Sequence, residues 1–379
     1  MEAATAREVK IGGKWRLVLG SNNYLGLTHH PRLLEAATEA LHRYGSGSTG
    51  SRLLNGTFDL HDELEGRLAA FLGTEDAVVC SAGYLTNLAT LSAVVGRGDH
   101  LFMDRLNHAS LVDAARLSLA RSHRYGHNDP AALGRALGLL EAGGSDGDGN
   151  DGGSGRRLIV TDGVFSMDGS VADLPGLLAT AEEHGAELMV DDAHGLGVMG
   201  PGGAGTAHHF DVQDRVSLLV ATFSKSLASI GGVVAGSADD CWDIRHRARS
   251  FIFTASVPPS ALATTLAALD VMEREPDRRE RLWTLTHRLA DGLRGLGYDL
   301  GDSSTPVIPV LAGGVGVLKL GRLWKGLYRA GIFTQAVVPP AVPPDGIRLR
   351  LSLTAEHTNE DLDRILEAFQ RVGRRLGMI

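Results

Sequence analysis

Short β-rich runs alternate with longer amphipathic segments along most of this chain, and that alternation constrains the fold more than any other feature. Residues 77–80, 100–103, 157–161, 186–190, 216–221 and 232–235 read as buried strands. Residues 31–44, 59–71, 84–95 and 109–120 read as helices. Parallel strands need a crossover long enough to hold a helix, so this order predicts an α/β fold with a mainly parallel central sheet flanked by helices. A long helical stretch at 258–296, interrupted at Pro276, breaks the pattern. Strands at 306–311, 333–338 and 347–351 and helices at 320–329 and 359–376 then predict a smaller C-terminal α+β domain. The expected division is an N-terminal segment 1–30, a large domain 31–270 and a small domain 271–379. Residues 143–155 are acidic and glycine-rich, which predicts a mobile surface loop inside the large domain.

Two of the strand runs lead into chemistry. Asp191-Asp192-Ala193-His194 follows the run at 186–190, and Thr222-Phe223-Ser224-Lys225-Ser226 follows the later one. A carboxylate at the end of a central parallel strand points into the crevice where α/β proteins bind ligands. A lysine just past a later strand offers an amine for a Schiff base. Pyridoxal 5'-phosphate (PLP) chemistry needs this pair: the amine holds the cofactor aldehyde, and the acid keeps the pyridine nitrogen protonated. Lysine occurs only at positions 10, 14, 225, 319 and 325, so abundance does not explain one among apolar strands. The plainer readings are a surface lysine at 225 and a helix cap with a hydrogen-bonded histidine at 191 and 194.

Other segments admit two readings each. Ser81-Ala82-Gly83-Tyr84 opens a helix, where backbone amides make a phosphate site or the glycine merely makes a turn. His108 would either cap the next helix or lay its ring on a cofactor. Gly45-Ser46-Gly47-Ser48-Thr49-Gly50-Ser51-Arg52 lacks the lysine of a P-loop and is no nucleotide signal by itself.

Charge and composition narrow the function classes. A net charge of −8 argues against a nucleic-acid partner, which wants a basic face. Cys80 and Cys241 form neither a metal-ligand spacing nor a disulfide framework, so no metal is expected and a reducing cytoplasm suits the chain. No apolar run is long enough for a membrane span, and the start lacks the basic and apolar regions of a signal peptide.

Taken in order, the motifs resemble the α-oxoamine synthases, which have the fold of type I PLP-dependent transferases. They are Ser21–Leu27, Gly50-Ser51-Arg52, Ser81–Tyr84, Asn107–Ser110, Thr161–Gly169, Asp191–Gly195, Thr222–Lys225, Phe251–Ser256, Pro339–Pro343 and Arg348–Leu351. The resemblance implies that Lys225 carries the cofactor and moves protons at the substrate Cα. Asp191 would pair with the ring nitrogen, His194 would bond the ring oxygen, and His108 would stack on the ring, with Ser166 near the ring-oxygen side. Gly83, Tyr84 and Thr222 would hold the phosphate. Thr254 would reach it from a neighbouring subunit, which implies a homodimer with a shared site. Arg350 would clamp the amino-acid carboxylate, and Asn22 would line the substrate pocket.

The implied reaction condenses serine, alanine or glycine with an acyl thioester, on coenzyme A or acyl carrier protein, releasing carbon dioxide and thiol. The segments 50–61 and 223–232 are most similar to the bacterial serine palmitoyltransferase branch. The neighbouring branches are 8-amino-7-oxononanoate synthase and 2-amino-3-ketobutyrate ligase. An aminotransferase or a non-catalytic scaffold subunit are the readings from other classes. Two departures bear on the acyl donor: about twenty residues precede Asn22, where the family often has a helix, and Ala341 stands where several members have threonine.

Overall fold

The computed structural model describes residues 1–142, 155–312 and 314–379, so all but the last residue of the glycine-rich stretch at 143–155 lies outside the described residues. The chain divides into two compact units. One gathers Arg32–Phe165 and Ala172–Asp270; the other gathers Met1–Pro31, Ser166–Val171 and Val271–Ile379.

The unit of Arg32–Phe165 and Ala172–Asp270 is built on strands β1 (Asp76–Cys80), β2 (His100–Asp104), β3 (Arg121–Tyr125), β4 (Arg157–Asp162), β5 (Glu187–Asp191), β6 (Leu218–Thr222) and β7 (Gly232–Gly236). Their order across the sheet is β1-β7-β6-β5-β4-β2-β3. Strand β7 runs antiparallel to β1 and β6, and the other pairings are parallel. Covering helices explain the near-continuous apolar composition of the inner strands, since a parallel strand is buried on both faces. Strands β6 and β7 are buried at every position, whereas β3 at the sheet edge buries only Tyr125. Helices α1 (Gly83–Val94) and α2 (Ala109–Ser118) share a core with the sheet, in which Leu91, Leu111, Val160, Met189 and Val220 are buried.

The other unit holds a sheet of order Ala3–Ala4, Glu8–Ile11, Lys14–Leu19, Ile332–Val337, Arg348–Ser352, Val307–Leu311. Lys14–Leu19 runs parallel to Ile332–Val337, with Leu17 opposite Ile332 and Leu19 opposite Thr334. Arg348–Ser352 is antiparallel to both of its neighbours, and Arg350 sits opposite Gln335 and Pro309. The closing helix, Asn359–Leu376, has sharp ends for local reasons. Thr358 and Asp361 form a reciprocal capping box, and Gly377 takes a left-handed φ of 58°.

Candidate active site

Strand direction collects polar residues at one edge of the larger sheet. β2 ends on Asp104, β4 on Asp162, β5 on Asp191 and β6 on Thr222. Because these strands are parallel, their last residues share the carboxyl edge where open α/β sheets bind ligands. Asp191 is buried, and its Oδ2 accepts a 2.7 Å hydrogen bond from Asn87 Nδ2 while Oδ1 accepts one from the Ala193 amide at 3.1 Å. Asp162, paired with Asp191 across the ladder, is also buried and accepts the His108 amide at 3.0 Å. Burial, and next the Asp191 charge, hold the Asp162 carboxyl well above the usual carboxylate range.

His108 caps α2, and its Nδ1 accepts from the Ser110 amide at 3.3 Å and lies 2.7 Å from Ser110 Oγ. Burial lowers its pKa; Asp191 opposes that shift and the Lys225 charge adds to it. Lys225 and Asp191 both act electrostatically on Asp162 as well, so these four groups form one electrostatic cluster. His194 is buried in the turn that follows β5.

Asp192, the next residue, serves the backbone. Its Oδ1 accepts from Thr206 Oγ1 at 2.9 Å, and its Oδ2 from the Thr206 amide at 2.5 Å. A Cβ on Gly195 or Gly205 would lie 1.9 Å from an Asp192 oxygen, so these two loops close on the carboxylate only because they present glycine. Burial raises this carboxyl to about 7, against the two Thr206 bonds.

A second cradle lies at the start of α1. Its N-cap, Ala82, offers no side-chain acceptor, and the first amides of a helix have no intrahelical partner. A Cβ on Gly83 would fall 2.7 Å from both Cβ and Oγ1 of Thr222, so the helix start and the end of β6 are in direct contact. Thr222 Oγ1 donates to the Gly231 carbonyl at 3.2 Å and lies 2.9 Å from Ser224 Oγ. The Tyr84 hydroxyl bonds Asp113, leaving its amide with Gly83 at the helix start. Lys225 begins a tight turn: its carbonyl accepts the Ala228 amide at 3.0 Å, and Ala228 takes a positive φ of 51°. Thr254 is half-buried beside exposed Phe253, and Ala255 forms a bridge to Ser51.

The remaining expected residues belong to the other unit. Arg350 is 3% exposed; its Nε donates to the Ser166 carbonyl at 2.5 Å and its Nη2 to Asn22 Oδ1 at 3.0 Å. It also bonds the buried Tyr24 hydroxyl, whose pKa burial raises and Arg350 lowers. Among the described residues no carboxylate pairs with this guanidinium. The structure thus gathers Lys225, Asp191, His108, Gly83 and Thr222 in one unit, and Asn22, Ser166 and Arg350 in the other. Asn87 escaped the sequence reading, its one signal being polarity inside an apolar helix, whereas Ser110 and Asp162 stood inside motifs read there but without a role of their own.

These groups fit PLP. The uncapped helix start with its glycine cradle suits a phosphate, the buried Asp191 suits a pyridinium nitrogen, and Lys225 suits the aldehyde. The aminotransferase class I and II family pattern matches residues 16–369. The chain belongs to that family.

Relatives within it narrow the chemistry. A serine palmitoyltransferase of Bacteriovorax stolpii is 46% identical, covering 97% of this chain and 85% of its own. An 8-amino-7-oxononanoate synthase of Geotalea daltonii is 46% identical, covering 100% of this chain and 94% of its own. The solved Sphingomonas wittichii serine palmitoyltransferase superposes with a TM-score of 0.93 at 37% identity, over 100% of this chain and 92% of its own. A further serine palmitoyltransferase structure, described as holding a PLP internal aldimine, gives the same TM-score at 35% identity. This family member is therefore a PLP-dependent enzyme of fold type I, and an acyltransferase.

Proposed function

We propose that this enzyme condenses L-serine with a long-chain acyl thioester, releasing carbon dioxide, free thiol and an α-amino ketone. The observation that carries the reading is Arg350: a buried cation whose partners are all neutral wants an anion, and a planar guanidinium matches a carboxylate in a bidentate fork. The amino acid is the substrate that brings one. Serine, rather than the alanine or glycine of sister branches, rests on the likeness to serine palmitoyltransferases in sequence and fold.

When bound, PLP supplies a ring that accepts electrons from the substrate Cα. The chain's residues do the rest. Gly83 and Tyr84 amides with the Thr222 hydroxyl would hold the phosphate. Asp191 would hold a proton on the ring nitrogen, His194 would bond the ring oxygen from its turn, and His108 would cover one ring face. Lys225 would bind the aldehyde and then take and return the Cα proton. Ser166, whose carbonyl Arg350 grips, would act on the ring-oxygen side, and Asn22 would line the amino-acid pocket. Arg350 would hold the carboxylate until it leaves as carbon dioxide.

The enzyme would act as a homodimer, with Thr254 reaching the phosphate of its partner. Phe253 is 72% exposed and Leu54 83% exposed, on segments joined by the Ser51–Ala255 bridge, which suits a face that a partner covers. Coenzyme A or a carrier protein would present the acyl group.

A substrate matrix tests the reading: serine, alanine and glycine against short and long acyl thioesters, with carbon dioxide and free thiol measured. Serine with a long chain should release both in equal amounts. Turnover with alanine alone would shift the assignment to the 8-amino-7-oxononanoate synthase branch. Keto acid without thiol would make the enzyme an aminotransferase.

A further inference from the structure

One side chain touches both arms of the cofactor site without belonging to the residues that would contact the cofactor. Asn87 lies on α1, one helical turn past Gly83, and is 2% exposed. Its Nδ2 donates twice: to Asp191 Oδ2 at 2.7 Å and to Ser110 Oγ at 2.8 Å. Ser110, 1% exposed, stands 2.7 Å from His108 Nδ1 through the same oxygen. A continuous chain of buried polar atoms therefore runs Asp191, Asn87, Ser110, His108.

The direction of each bond in that chain is determined. A carboxylate only accepts, so the Asn87 amide must turn its NH2 toward Asp191. Turned so, it offers Ser110 Oγ a donor as well, and the serine oxygen accepts. The Ser110 amide can only donate, so its 3.3 Å contact makes His108 Nδ1 the acceptor, and the serine hydroxyl donates to it. Nδ1 is thus an acceptor from two sides, and the proton of a neutral His108 sits on Nε2. Asn87 Oδ1 is buried with no partner among the described residues, so this amide is kept for its donors at the expense of its acceptor.

We infer that Asn87 is a positioning residue that sets the Asp191 carboxylate and, through Ser110, the tautomer and tilt of the His108 ring. This rests on the reading that Asp191 and His108 serve the cofactor ring. Its consequence is that the group beneath the ring nitrogen and the group over the ring face are aligned by a single amide. Burial and the Lys225 charge favour the neutral form of His108 against the pull of Asp191, in the same sense as the hydrogen bonds.

The test uses the PLP-loaded enzyme and three variants: Asn87→Leu, similar in volume without donors; Asn87→Ala, in case the leucine form does not fold; and Ser110→Ala, which cuts only the His108 arm. Readouts are kcat, KM for the amino acid, PLP dissociation, and the pH titration of bound PLP absorbance. Asn87→Leu or Asn87→Ala should lower kcat per bound PLP about 10- to 100-fold, the size of one lost hydrogen bond to a buried charge. KM for the thioester should stay within about twofold, because no thioester contact is touched. The absorbance titration should shift. Ser110→Ala should lower kcat less and move the acid limb of the rate profile to higher pH, since His108 Nδ1 is then easier to protonate. Loss of melting temperature and cofactor with kcat per bound PLP and titration unchanged would make Asn87 a packing residue and overturn the inference. Asp191→Asn and His108→Ala run beside these variants. If both keep full activity, the parent reading falls and this one with it; if both lose activity while the Asn87 variants do not, only this one falls.

Discussion

Gly83→Ala is the sharpest single perturbation, because one methyl group meets a surface that has no room to retreat. An alanine Cβ at position 83 would lie 2.7 Å from Cβ and Oγ1 of Thr222 and 3.6 Å from its Cα. Comfortable carbon contacts lie near 3.5–4.0 Å, so the helix start or the strand end must move by about 1 Å. Neither side yields easily. Thr222 pairs with Gly232 in the sheet, its neighbour Phe223 donates to the Gly231 carbonyl at 3.0 Å, and a Cβ on Gly232 would itself meet Gly83 Cα at 2.9 Å. Overpacking of this kind costs about 1–3 kcal/mol.

Where that strain appears is the informative part. If the Gly83 and Tyr84 amides and the Thr222 hydroxyl hold the phosphate together, pushing them apart weakens PLP binding. Each ~1.4 kcal/mol is tenfold in affinity, so the dissociation constant should rise roughly 5- to 150-fold. Equilibrium titration of the apo form with PLP, followed by absorbance, measures it, and thermal unfolding of the apo form reports the strain that falls on the fold. Binding within about twofold of the parent, alongside a lowered melting temperature, would refute the idea that this cradle is the phosphate site.

If the half-buried Lys225 side chain does chemistry rather than packing, as proposed, Lys225→Ala should abolish turnover and leave nothing for borohydride to fix on the chain, while melting temperature holds. Arg350→Lys keeps the charge but loses the fork and its bonds to Ser166 and Asn22; KM for the amino acid should rise about 10- to 100-fold with a smaller loss in kcat. Asp162→Asn should be mild, with kcat within a few fold, because burial and Asp191 already favour the neutral acid and the amide can still accept the His108 N–H; a loss as deep as that of Asp191→Asn would contradict this. His357 is buried, its Nδ1 accepts the Thr354 amide at 3.1 Å, and burial depresses its pKa from 6.5 to about 4. The unfolded chain then binds the proton first, so stability is present above pH 6.5 and is lost as pH falls toward 4, by roughly 3 kcal/mol. His357→Asn should flatten that part of the urea-midpoint profile; an unchanged slope would show that this histidine is not the source.

Elements with marked ends were legible. Pro31–Tyr44 opens on a proline and Asn359–Leu376 lies between a capping box and a left-handed glycine; both match the spans read from sequence. The buried strands emerged within a residue or two because short runs of valine, leucine and isoleucine leave little choice. Strand Arg121–Tyr125 had no such pattern, since an edge strand with four uncovered or half-covered positions carries no apolar stripe. The parallel pairing of Lys14–Leu19 with Ile332–Val337 was illegible for another reason: its partners are more than 300 residues apart, and no local signal records so distant a register. Among the candidate site residues, Lys225, Asp191 and His108 stood out by chemistry and position. Asn87 did not, because an asparagine inside an apolar helix looks the same whether it serves a site or fills a gap.

The carboxyl edge of the sheet poses an electrostatic problem that explains these quieter residues. Asp104, Asp162, Asp191 and Asp192 are all buried there. Like charges so close would drive the edge apart unless each met its own donors or a proton. Asp104 accepts the Leu106 amide at 2.8 Å and the Asn128 amide at 2.7 Å. Asp192 takes two bonds from Thr206, and burial keeps a proton available to it near neutral pH. Asp162 is pushed toward its neutral form by burial and next by Asp191 itself. Asp191, like Asp104, is held by local amides, and the one it receives from Asn87 is a neutral donor. Such a donor orients a carboxylate without cancelling its charge, as an arginine or lysine in its place would. If Asp191 serves a cationic ring nitrogen, as proposed, a neutral amide suits it, because that donor fixes the carboxylate and leaves the counter-charge to the ring.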